Sequence, residues 1–363
     1  MGENCPCCAF LENDLFLPPP DARVVQYSTT NDAGKSDHKE EGGLLSDMLT
    51  SHEALQQITG ESNERQQVLL VDTHGHPHLN REQNEEYTID NNTKAPSQPP
   101  PVVISMSCAV EEADWDDTLK YASQSETVLP GLGVHPWYLA ELSKDWLIRL
   151  EELLLKHPHA IVGEIGLCKM ARFVRTYADG KTAALSLQRN VFKEQMKLAA
   201  KLRRPVSVHC VKQHGAFMSV LKEIIKEATE CKNDNIVNAF PTAIGMHSWT
   251  GTAHHVKEIL KFEEESFPTG TKMFYFGFSH SVNVIMSTSD KSRKQGCDSV
   301  HAVPIDRLLV ESDVHAESDV HGGTAGAIAY ISSALHRPLV EIAEITSSNG
   351  LSFLNRVKVA NNS

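Results

Sequence analysis

Short apolar runs punctuate the chain at 68–71, 102–106, 128–132, 160–162, 206–208, 244–246, 274–278 and 308–310, and longer segments separate them. Runs of three to five apolar residues without polar alternation are the pattern of strands buried on both faces, as in a parallel sheet covered by helices. Two of the separating segments have clear helical spacing: 182–202, with Leu185, Phe192, Met196 and Leu198, and 215–230, with Phe217, Val220, Leu221, Ile224 and Ile225. Eight strands alternating with helices are what a TIM-type (β/α)8 barrel requires, so the expected fold is that barrel, in the α/β class. No motif repeats at a fixed period beyond the alternation itself.

The 363 residues suffice for one barrel of about 250 residues with extensions, not for a second large domain. Residues 1–66 are expected to be an extension and 67–363 the barrel, with a polar, proline-rich surface insertion at 80–101 that carries Pro96, Pro99, Pro100 and Pro101. Near-helical spacing of Leu44, Leu45, Met48, Leu49 and Leu55 predicts a short amphipathic helix over 44–58 on the barrel's outside.

With 40% hydrophobic and 22% charged residues the composition is that of a soluble globular protein, and no run of about 18 apolar residues could span a bilayer. A net charge of -13 argues against a broad basic surface for duplex DNA. It leaves a nuclease open, because divalent cations in a cleft supply local positive charge. The eight cysteines lack the dense spacing of a disulfide scaffold, and the N-terminus carries no leader pattern, so cytosol or nucleus is the expected compartment. Cys5, Cys7 and Cys8 sit close together near Gly2, but Pro6 departs from an acylation signal.

Ligand-type residues gather at the ends of the apolar runs. His74 and His76 follow the first run in Asp72-Thr73-His74-Gly75-His76, and residues two apart in an extended segment face the same way. Pro77 turns the chain before His78, which ranks below them. Glu164, His209, His247 and Asp313 end later runs, and a barrel brings all such ends to one rim. Four histidines and two carboxylates buried together call for cations. His135, before Pro136, is either a phosphate contact or a structural residue, while His315 and His321 lie in a loop whose course the sequence does not fix.

At this point the chain resembles the TatD family of metal-dependent deoxyribonucleases. Asp72-Thr73-His74-Gly75-His76 is similar to its D-x-H-x-H, Gly133-Val134-His135-Pro136 to its G-x-H-P, and Gly163-Glu164-Ile165-Gly166-Leu167 to its G-E-x-G-L. His247-Ser248-Trp249-Thr250-Gly251 resembles H-x-F-x-G, Glu311-Ser312-Asp313 resembles E-T-D, and the order matches. The resemblance covers about residue 68 to the C-terminus. It implies two divalent cations (Mg²⁺, Mn²⁺ or Zn²⁺) with Glu164 shared, one held by His74, His76, Glu164 and Asp313 and the other by Glu164, His209 and His247. Asp313 is then the candidate general base, catalytic together with Glu164.

Three positions depart from the family: Cys168 where it has Asp, Val211 where it has Arg, and Val314-His315 where it has a small residue and Pro. Lys212 is the nearest cation to the lost arginine. The resemblance implies DNA as substrate, as single strands or ends. An amide or ester hydrolase is the alternative, although many such enzymes bridge their metals with a fourth-strand lysine rather than a glutamate. A third reading is a protein-interaction scaffold, as some fungal members are described as partners of an anaphase-promoting-complex subunit.

Overall fold

In the computed structural model, which describes Leu45 and residues 48–60, 69–80, 101–231 and 235–356, each apolar run seeds one strand. The strands are β1 (Leu69–Gly75), β2 (Val102–Cys108), β3 (Val128–Leu132), β4 (Ile161–Cys168), β5 (Val206–Val211), β6 (Ile244–Met246), β7 (Phe274–Ser279) and β8 (Leu308–Glu311). They pair in parallel in chain order. Between β8 and β1 the seam is stitched rather than laddered. Asp313 N–H donates to the His74 carbonyl (3.1 Å), Ser312 N–H to Asp72 Oδ1 (2.9 Å), and the Thr73 hydroxyl to the Val310 carbonyl (3.0 Å). The outcome is the expected TIM-type barrel.

Side-chain parity along the strands divides the apolar residues into two layers. Leu69, Val71, Ile104, Met106, Leu129, Ile161, Tyr275 and Leu309 fill the barrel interior. Leu70, Leu132, Val162, Val206, Val208, Phe274 and Phe276 face the surrounding helices. Those helices are α1 (Ser51–Gly60), α2 (Trp115–Ala122), α3 (Trp146–Lys156), α4 (Arg172–Thr176), α5 (Gly180–Lys201), α6 (His214–Glu230), α7 (Ala253–Ser266), α8 (Asp290–Ala302), α9 (Val320–Leu335) and α10 (Leu339–Leu354). From α10, Phe353 joins the interior layer opposite the site; a Cβ on Gly245 would lie 2.8 Å from its ring, so this strand position admits only glycine without rearrangement.

The expected helix over 44–58 begins later, at Ser51, and packs on α9 and α10 with Ala54 and Ile58 buried. Its start is set by a reciprocal cap: Glu53 N–H donates to Thr50 Oγ1 (3.3 Å) while Thr50 N–H donates to Glu53 Oε2 (2.9 Å). Leu45 stands in a turn before it. Cys5, Cys7, Cys8 and residues 81–100 of the expected insertion lie outside the described residues.

Strands β1, β4 and β5 run three to six residues beyond their apolar seeds, through the segments that carry His74, Glu164 and His209. The β1–β2 register shifts between Asp72 and Gly75, and the β4–β5 register between Val162 and Ile165. One extra residue reverses the parity of everything after it. Unbroken alternation from Ile161 would turn Glu164 toward the helices with Val162; the shift brings it into the barrel mouth.

Candidate metal centre

Glu164 is buried where the shifted end of β4 meets the mouth, and five imidazoles crowd its carboxylate. Oε2 lies 3.4 Å from His74 Nε2 and 3.3 Å from His76 Nε2. Oε1 lies 3.0 Å from His209 Nδ1, 3.3 Å from His135 Nε2 and 3.5 Å from His247 Nε2. The two oxygens thus face two different sets of nitrogens. Asp313 approaches from the seam, with Oδ1 3.7 Å from His76 Nε2 and Oδ2 3.9 Å from His247 Nε2. Its backbone is left-handed (φ 53°), a conformation that costs a non-glycine residue energy and is met where a side chain must be aimed.

Three of the rings are oriented from behind. His74 Nδ1 meets Ser207 Oγ at 2.8 Å, His76 Nδ1 donates to the Cys108 carbonyl at 2.7 Å, and His247 Nδ1 donates to Glu311 Oε2 at 3.2 Å. Glu311 Oε2 also accepts Ser248 N–H (2.8 Å), and the Ser248 hydroxyl donates to Asp313 Oδ2 (3.0 Å). Anchoring one imidazole nitrogen to a carbonyl or carboxylate, so that the other points inward with a fixed tautomer, is the usual outer arrangement of a metal-ligating histidine.

Charge in this cluster is tightly coupled. Burial alone would raise the Glu164 carboxyl, but His135 and His247 beside it hold it well below the usual carboxylate range. Burial lowers His247 as well, yet Glu164 and Asp313 outweigh that and lift it to about 10. His135, for which burial dominates, falls to about 4. Burial raises the Asp72 carboxyl, behind the seam, to about 7.

The donor set fits divalent cations. Three groups, His74–His76–Glu164, His135–Glu164–His209 and His74–His247–Asp313, each have ligand atoms within 4.8 Å of one another. Glu164 Oε1 and His209 Nε2 are buried and accept or donate no hydrogen bond among the described residues, although nitrogens surround the former. Imidazole nitrogens and carboxylate oxygens gathered this closely are the ligand types that divalent transition ions take.

All seven residues singled out from the sequence, His135 included, therefore meet at one place. His78 does not: it turns away on the short helix Pro77–Leu79, buried between Ser107 Oγ (2.9 Å), Thr118 Oγ1 (3.1 Å) and Asp114 Oδ2 (3.4 Å). His315 lies at the edge, its ring 5.6 Å from that of His76, and His321 meets the Pro101 carbonyl. Ser207 and Glu311 were given no role by the sequence; a serine inside Val-Ser-Val reads as strand filler.

The sequence profile of the TatD related DNase family matches residues 71–355. The chain belongs to this family. Among its TatD relatives, the Cut9-interacting protein scn1 of Schizosaccharomyces pombe is 27% identical over 227 residues, covering 55% of this chain and 64% of that protein. The 3'-5' ssDNA/RNA exonuclease TatD of Erwinia tasmaniensis is 26% identical over 182 residues, covering 50% of this chain and 56% of its own length. The match thus spans less than two thirds of either relative. The crystal structure of YJJV, a TatD homologue from Escherichia coli K12, shares the fold with a TM-score of 0.57 at 19% identity, over 77% of this chain and 95% of that one. No helix among the described residues is long and apolar enough to cross a membrane.

Proposed function

We propose that this TatD-family protein hydrolyses phosphodiester bonds in DNA, as single strands or ends, with two divalent cations in the barrel mouth. The observation that carries the reading is the division of Glu164, one oxygen facing His74 and His76 and the other facing His209, His247 and His135. On this reading His74, His76, Glu164 and Asp313 hold one cation, and Glu164, His209 and His247 hold the other, with His135 within reach of the second. Mg²⁺, Mn²⁺ and Zn²⁺ are the candidates. Bound there, such ions polarise a phosphoryl oxygen and lower the pKa of water. Asp313, aimed by its left-handed backbone and hydrogen-bonded by Ser248, takes the proton from the attacking water. Glu311 holds His247 and Ser248 in place, and Ser207 holds His74.

A glutamate on β4 in place of a lysine disfavours the amide or ester alternative. A second reading, a protein-binding scaffold, draws on the name of the fission-yeast relative and on the altered positions 168, 211, 314 and 315. The five described cysteines are free, which suits the cytosol or nucleus.

The decisive variant is Glu164→Gln, which keeps the shape but removes a charge and half of the bridging capacity. We expect one or both ions to be lost and hydrolysis to fall by orders of magnitude, with the barrel intact. Elemental analysis, circular dichroism and turnover of labelled single- and double-stranded DNA measure this, beside an amide and an ester substrate. Wild-type metal occupancy in a folded Glu164→Gln variant sinks the two-metal reading, and a metallated wild type inert on every substrate favours the scaffold.

A further inference from the structure

Trp137 is 48% exposed although it stands beside the buried polar cluster around Glu164. It follows His135 and Pro136 in the loop after β3, and its backbone N–H donates to His135 Nδ1 (3.3 Å). The two rings are 5.5 Å apart, and His135 Nε2 is 3.3 Å from Glu164. Its indole lies near the buried Cys168 thiol at the end of β4. Trp137 is therefore held by its backbone, while much of its apolar surface stays in water at the mouth. Nothing in the packing requires that exposure, which costs about 25 cal/mol per Å² of apolar surface left wet.

The segments that follow β4 and β5 are basic. Lys169, Arg172 and Arg175 are exposed after β4, and Lys212 after β5. Lys169 N–H donates to the Val211 carbonyl (3.0 Å), which ties the two loops together. Segments 169–177 and 209–216 contain no acidic residue, in a chain of net charge -13. None of the four cations forms an ion pair among the described residues. Tyr138, the next residue, lies instead near Glu111 and Asp114.

We infer that Trp137 is a base-stacking platform for a single-stranded nucleic acid, with Lys169, Arg172, Arg175 and Lys212 following the strand's phosphates. An exposed aromatic face beside unpaired cations is the arrangement that binds single strands without reading sequence, because every base has a π-face. A duplex keeps its bases stacked inside and cannot use it. Lys212 also supplies a cation next to Val211, which stands where the family has arginine. The inference rests on the hydrolase reading for its place beside the scissile phosphate, but strand binding can be measured without turnover.

The test compares an oligothymidylate with a strand of equal length that carries one central abasic stretch, by fluorescence anisotropy on the full chain, for wild type, Trp137→Ala and Trp137→Phe. Wild type should bind the complete strand about tenfold more tightly than the abasic one, the size of one lost stack. Trp137→Phe should keep most of that preference and Trp137→Ala should erase it. Tryptophan emission, quenched by the strand in wild type, should no longer respond in Trp137→Phe. An unchanged preference in Trp137→Ala, or no strand binding by wild type, overturns the platform. Wild-type cleavage of the same strands with Mg²⁺, Mn²⁺ and Zn²⁺ separately tests the hydrolase reading, so a failure of catalysis is distinguishable from a failure of stacking.

Discussion

Cys168 and Val211 are register partners across β4 and β5. The two positions at which this chain lacks the family's aspartate and arginine therefore face one another, and their joint replacement removes one charge of each sign from the same place. Introducing Cys168→Asp and Val211→Arg together should raise kcat/KM on single-stranded oligonucleotides above wild type and above either single variant. The paired variant should show a favourable coupling of about 0.5–3 kcal/mol in thermal unfolding, as contacting residues do. Strict additivity in both readouts counts against the pairing. A second contrast lies at His76 and His78, two residues apart with different surroundings. His78→Ala leaves the hydroxyls of Ser107 and Thr118 and the Asp114 carboxylate short of a partner. It should cost about 1–3 kcal/mol in urea unfolding without changing metal stoichiometry. His76→Ala should do the reverse, losing metal while the cation-free protein unfolds near the wild-type midpoint; equal metal loss in both would put His78 in the site.

Elements divide the labour by the two ends of the barrel. Phe353, from α10, fills the interior at the end away from the metal centre, against Gly245. Phe353→Ala should cost about 3–5 kcal/mol and leave metal content per folded chain unchanged, read from urea midpoints and elemental analysis. Deleting residues 1–39, which precede α1 and every donor named above, should likewise leave metal stoichiometry at the wild-type value. The strand positions at the Phe353 end were legible because apolar runs end sharply in the sequence. At the other end the apolar signal stops where the chemistry begins: β4 was read as three residues and spans Ile161–Cys168, since Gly163, Glu164 and Gly166 carry no strand signature. The register shifts that turn Glu164 inward leave no mark in composition, because they depend on what the neighbouring strand offers. His74, His76, Glu164, His209, His247 and Asp313 were nevertheless findable as ligand types at successive strand ends. Glu311 and Ser207 were not, as their role is to touch a histidine from another strand.

At the scale of the whole molecule, the candidate centre draws on donors from β1, β4 and β5 and from the segments after β1, β3, β6 and β8, so occupancy and folding are linked. Removing divalent ions with a chelator should lower the thermal midpoint, and restoring them at about a thousandfold excess over Kd should return about 4 kcal/mol. A midpoint indifferent to chelation would mean that the cluster is held by its own hydrogen bonds alone. The seam between β8 and β1 adds a consequence for biosynthesis. Asp72 and Ser312, joined there, are 240 residues apart. A ribosome releases β1 and its histidines long before the residues that close over them exist, so the nascent barrel carries two unpaired sheet edges for most of its synthesis. Edge protection and assembly of the centre then arrive together, late and in one step. Ribosome-stalled chains ending before residue 308 should be the form that chaperones hold and proteases cut, while chains long enough to free residues 308–356 from the exit tunnel should resist both.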